Sequence, residues 1–246
     1  MLSCAGMSEP ILIGKRFAGP PGSGNGGYVC GRIAARVPGN PSSIRLIAPI
    51  PLERPLSVDQ HPGGAVEVQS GQSVVARGWP TDLDVDVPAL PDPREVEAAM
   101  SRYEGHARHP FPGCFVCGTA RPSGDGLRLF TGPVDGRSLV AASWTPDAAL
   151  ANGEEQVDPV YVWSALDCPS GWAAGMLAGG ANLVLGELTT HISRLPLVGE
   201  PCVALGWPLR RLDRKHLAGS ALVSQDGEVL ARAQAIWFST GAAPRA

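Results

Sequence analysis

The sequence predicts an α+β fold written twice, each copy a helix followed by antiparallel strands. Two observations predict it. The first is a strand-and-turn pattern that recurs about 150 residues later. One copy runs from Ile44 through a Pro51-Leu52 corner to Val58, then Gly64 to Trp79 around a turn at Gly71. The other runs from His191 through a Pro196-Leu197 corner to Val203, then Gly219 to Trp237 around Gly227. The second observation is a helix signal ahead of each copy, at Tyr28–Val37 and from Asp158-Pro159 onward. Two long copies indicate a duplicated domain, since a solenoid needs more and shorter repeats.

The elements follow in order. Tyr28–Val37 is stopped by Pro38-Gly39, and the first set of strands comes next. Asp82–Pro93 is acidic and proline-bearing, which reads as a linker, and Arg94–Tyr103 as a short connecting helix. Gly126–Phe130 and Ser138–Trp144 read as two strands joined by a turn at Pro133–Gly136. Asp158 suits an N-cap and Pro159 the first helical position, and Pro169 should kink or end that helix near Cys168. The division expected is residues 8–90 for a first half with a shortened front end, 91–108 for the linker, and 109–246 for the second half.

Composition narrows the partners. The net charge is −3 with no long charged block, so no nucleic-acid surface is expected. No apolar run approaches the roughly 20 residues that cross a bilayer. The start has no signal-peptide character, and Met7 can serve as the natural start. Six cysteines without a targeting segment suit reduced thiols in a cytoplasmic protein.

Cys114-Phe115-Val116-Cys117-Gly118, then Arg121-Pro122 and Gly126-Leu127-Arg128-Leu129-Phe130, resembles the opening of hotdog thioesterases of the phenylacetyl-CoA and 4-hydroxybenzoyl-CoA type. The resemblance covers most of Asn25 to Trp237 and implies a double hotdog, in which each half wraps a curved antiparallel sheet around a long helix. That family places His-Gly-Gly at the start of the central helix and a carboxylate nine residues after the His. Here the motif is divided. Asn25-Gly26-Gly27 stands in the His-Gly-Gly place of the first half, but nine residues on is Ala34. Asp158-Pro159-Val160 stands there in the second half, and nine residues on is Asp167.

Nine residues put the carboxylate roughly 13 Å along its own helix, too far to fold back to that helix's first turn. The family brings the two together by packing two helices antiparallel. In a tandem chain Asp167 should therefore lie near Gly26 and Gly27. The resemblance then implies a general base at Asp167, oxyanion donors at the Gly26 and Gly27 amides, and Asn25 orienting substrate or water. Asn25, Gly26 and Gly27 equally suit a plain helix cap and turn. The reciprocal pair, Asp158 with Ala34, has no base.

Further candidates are weaker. Tyr28 can line an acyl pocket or belong to the core. Thr189 and Thr190 fall where some relatives orient water, and strand threonines are common. Arg211, Arg214 and Lys215 form the one basic cluster, suited to CoA phosphates or to a solvated loop. His106, His109, Cys114 and Cys117 have spacing that could hold zinc; the resemblance argues against this and implies neither a metal nor an organic cofactor. The expected activity is hydrolysis of an acyl-CoA-like thioester, with CoA entering as part of the substrate. A binding protein without hydrolysis, or a dehydratase or cyclase-like enzyme using His191, are the rivals. A homo-oligomer of double-hotdog units is compatible with the resemblance.

Overall fold

The computed structural model describes residues 9–178 and 182–240. The expected outer bounds of the two halves, at 8 and 246, and the start at Met7 lie outside these. Helix α1 (Gly26–Ala34) precedes strands β1 (Ser42–Leu46), β2 (Ser57–Gln60), β3 (Val66–Ser70) and β4 (Ser73–Pro80). Helix α2 (Pro93–Ser101) leads to β5 (Gly132–Pro133) and β6 (Val140–Trp144). Helix α3 (Pro159–Ala178) then precedes β7 (Asn182–Ile192), β8 (Cys202–Leu212), β9 (Lys215–Ser224) and β10 (Val229–Thr240).

All the strands join one sheet in the order β2-β3-β4-β1-β7-β10-β9-β8-β6-β5. Read outward from the centre, β1-β4-β3-β2 on one side mirrors β7-β10-β9-β8 on the other. The duplication in the sequence is thus a pseudo-two-fold whose seam is the antiparallel pair β1 and β7, with Ile44 opposite Leu188. Side chains reinforce the seam: Arg45 meets Glu187 at 2.7 Å, and Thr189 Oγ1 donates to Ser43 Oγ at 2.9 Å. Along most of β10, buried and half-buried residues alternate, as a strand with one face on a core requires.

The first helix starts earlier than its apolar pattern suggested, because Asn25 caps it by accepting from the Tyr28 amide at 2.9 Å. Helix α3 runs on through Pro169 to Ala178, so the proline does not end it. Proline removes an N–H and crowds a carbonyl one turn back. Hydroxyl donors reach carbonyls in the same turn: Ser170 Oγ bonds Asp167 O and Ser220 Oγ bonds Leu166 O, both at 2.6 Å. The sheet makes room as well, since a Cβ at Gly206 would lie 2.1 Å from the Pro169 carbonyl oxygen.

Two segments differ from the sequence reading. Gly126–Phe130 is not a strand; it lies along the Cys114–Cys117 turn, with Leu127 N bonded to Phe115 O and Leu129 N to Val116 O, both at 2.9 Å. Arg128, at φ 54°, breaks the extended run. The Asp82–Pro93 segment is not a free linker. Its Val85 is buried with Val96 and Ala99 of α2 against Val203, Leu205 and Trp207 on the face of the sheet opposite α3. Alternation along β8 makes this possible by sending successive side chains to opposite faces. Asp92 begins α2 with a full capping box to Glu95. Asp92→Ala should cost about 1 kcal/mol, read as a lower urea midpoint at unchanged m-value. No helix among the described residues is long and apolar enough to cross a membrane.

Candidate functional site

The helices α1 and α3 run antiparallel in direct contact because two glycines on α1 remove the side chains between them. A Cβ on Gly27 would lie 2.5 Å from Asp167 Cβ and 2.7 Å from Trp163 O, and one on Gly31 would lie 2.8 Å from Val160 Cα. Gly27 and Gly31 are four apart and share one helix face. Gly31 is a missed signal: the Gly-x-x-x-Gly spacing was legible in the sequence.

This contact brings Asp167 onto the first turn of α1. Asp167 Oδ2 accepts from Gly27 N at 2.9 Å and from Asn25 Nδ2 at 2.8 Å. Its other oxygen, Oδ1, is buried without a hydrogen-bond partner. Burial pushes the carboxyl up to about 7, opposed by the Gly27 amide, with Cys114 pushing further up and Asn25 holding it down. The Gly27 amide is therefore already occupied by the carboxylate and is not free for an oxyanion, which corrects that part of the expectation. Gly26 remains: it lines the adjoining cavity, and its amide, at the first helical position, has no acceptor among the described residues. Asn25 is buried and bridges Asp167 to the Cys114 sulfur, 3.7 Å from Nδ2.

The cavity has a volume of about 1190 Å³ and is lined from both halves, with Asn25, Gly26 and Ile47 on one side and Asp167 on the other. Its apolar wall includes Trp172, Met176, Leu185, Trp237 and Phe238. None of these was read from the sequence as a site residue, because each belongs to a strand or helix whose inner face looks like ordinary core.

The remaining candidates lie elsewhere. Tyr28 is buried and stacks on Phe17 at 3.8 Å between ring centroids, in an aromatic cluster with Phe115 and Tyr161. Thr189 is spent on the β1–β7 seam, and Thr190 is buried on the neighbouring position. Arg211, Arg214 and Lys215 sit at the β8–β9 hairpin and are not on the cavity wall. Arg214 bonds Ser239 O at 3.2 Å, and Lys215 Nζ lies 5.9 Å from the Phe238 ring centroid. His191 does not line the cavity, whereas His109 does. In the reciprocal position, Asp158 caps α3 by accepting from Val160 N at 2.9 Å, and Ala34 of α1 carries no acid.

Cys114, Cys117 and Cys168 are buried on the cavity wall beside Asp167, their sulfurs all within 4.8 Å of one another. Hydrogen bonds from the Cys117 and Cys168 thiols hold the Cys114 thiol well below its ordinary range. Burial pushes Cys117 up, and its bond to Cys114 pushes Cys168 up.

Helix-on-sheet halves joined at a continuous sheet define the class as α+β, a tandem hotdog. Solved structures agree over nearly the whole chain. The tesB protein of Mycobacterium avium subspecies paratuberculosis has 11% identity and a TM-score of 0.61, with 91% of this chain and 90% of that one covered. A putative thioesterase from Novosphingobium aromaticivorans has 16% identity and a TM-score of 0.58, covering 94% and 95%. A hot dog fold protein of unknown function from Alicyclobacillus acidocaldarius has 10% identity and a TM-score of 0.54, covering 99% and 97%. At these identities the likeness establishes the fold: the chain is a double hotdog protein. No protein-family model matches the sequence, and no curated protein matches it.

Proposed function

We propose that the chain hydrolyses an acyl thioester of the CoA type at a single composite site between its two halves. The observation that supports it is Asp167: a buried carboxylate of a residue lining a large, mostly apolar cavity, with one oxygen tethered across the helix pair and the other unpartnered. The tether fixes the orientation of the free oxygen. Oδ1 then serves as general base toward a water held against the thioester carbonyl. The Gly26 amide, with the partial positive charge of the α1 N-terminus, stabilises the oxyanion that forms. The proton taken by Asp167 passes to the departing thiolate, and the carbon–sulfur bond breaks. Asn25 and the Gly27 amide keep the carboxylate in place and do not contact substrate in this reading.

The volume of the cavity and its tryptophan and phenylalanine walls suit a long or aromatic acyl group. Gly175 lines it, and a Cβ there would meet nothing within 4 Å. Gly175→Leu should therefore fill space without strain. Long-chain acyl thioesters should lose roughly 10- to 100-fold in kcat/KM while acetyl thioesters change little.

The deciding experiment is thiol release over a panel of acyl-CoA substrates. Turnover that rises with acyl length supports the assignment. Measurable acyl-CoA binding with no turnover on any member of the panel would favour the non-hydrolytic reading, to which the complete occupation of the Gly27 and Asn25 donors also lends weight.

A further inference from the structure

We propose that Cys114, Cys117 and Cys168 form a thiolate site for a zinc-class ion, with its fourth position open to the cavity. The site draws on two parts of the chain. Cys114 and Cys117 come from a turn ahead of β5, and Cys168 from the middle of α3.

The spacing fits such an ion. Tetrahedral zinc with Zn–S bonds near 2.3 Å requires sulfurs roughly 3.8 Å apart. Cys114 and Cys168 sulfurs are 3.7 Å apart, and all three lie within 4.8 Å of one another.

The surroundings supply N–H donors to the sulfurs. The Cys114–Gly118 turn closes with Gly118 N on Cys114 O at 2.9 Å, and Asn25 Nδ2 lies 3.7 Å from the Cys114 sulfur. That closure needs glycine next, because a Cβ on Gly118 would lie 2.4 Å from Cys114 O. His109 Nδ1 accepts from Phe111 N at 2.9 Å, which leaves the ring proton on Nε2, 3.3 Å from Cys117 Sγ. Two N–H donors thus reach two of the three sulfurs. A neutral thiol accepts hydrogen bonds weakly, whereas a metal-bound thiolate carries charge that such donors spread and hold.

His109 is a donor to a ligand here and not itself a ligand. The zinc set suggested by spacing alone, two histidines with Cys114 and Cys117, is replaced by three cysteines. Three protein ligands leave one position for a molecule in the cavity, water or a thiol. The inference stands apart from the hydrolase reading, because it rests on the sulfurs and their donors and not on Asp167.

The test uses the full chain, reduced and stripped with chelator, then titrated with Co²⁺ and Zn²⁺. One ion bound per chain is expected, with the intense visible and charge-transfer bands of tetrahedral thiolate cobalt, displaced by Zn²⁺. Cys168→Ser should weaken binding by more than about 100-fold and lose the tetrahedral bands. His109→Phe should weaken it by roughly 10- to 100-fold with the bands retained. Cys202→Ser, at a buried cysteine outside the cluster, should change nothing. Failure of the folded, reduced parent chain to bind either ion would overturn the proposal. So would equal binding by the Cys168→Ser variant, or a Cys114–Cys168 disulfide that takes up no metal after reduction.

Discussion

Asp167→Asn should lower thioester hydrolysis by roughly 100- to 10,000-fold while leaving the protein folded. The substitution is nearly isosteric. The amide oxygen of Asn can still accept from Gly27 N and Asn25 Nδ2, so the tether across α1 and α3 survives. What disappears is the free oxygen that takes a proton. An ionised carboxylate is also disfavoured in this dry position, so the thermal midpoint should hold or rise slightly. Initial rates at saturating substrate, paired with a thermal melt, make the measurement. Unchanged turnover in a folded variant would remove Asp167 as the base.

Gly27→Val should damage both stability and activity. Even a methyl group at this position would lie 2.5 Å from Asp167 Cβ and 2.7 Å from a helix carbonyl. Neither atom is the end of a flexible side chain, so the helices must separate. Overpacking of this kind costs about 1–3 kcal/mol, and separation also lengthens the bond from Gly27 N to Asp167. The expected result is a lower denaturant midpoint together with a fall in kcat larger than any change in KM. A variant as stable as the parent would show that the helices do not meet this closely.

Much of the architecture was legible because it is local. The Pro-Leu corners and hairpin turns at Gly71 and Gly227 are repeated in sequence, and the repeat became the mirrored strand order on either side of β1 and β7. The Asn25 cap and the Asp158 cap were legible for the same reason: each bonds an amide two or three residues away. At two places tertiary contacts outweighed local propensity. Pro169 sits inside a helix whose carbonyls find donors from β9 and from Ser170. Gly126–Phe130 bonds to the cysteine turn and forms no strand of its own.

The candidate site divides along the same line. The sequence by itself determined the split motif, glycines in one half and the carboxylate in the other, because the same unit appears twice and its copies can be compared. Only the tertiary structure decided what each group does with its hydrogen bonds. It gave the Gly27 amide to Asp167, left Oδ1 unpartnered, and set Gly26 at the cavity. It also carried Cys168 to Cys114, which lies 54 residues earlier in the chain. The physical reason is reach. A repeat or a cap is set by neighbours along the chain, whereas a buried donor's partner and a cavity's walls are set by how a folded sheet closes on two helices.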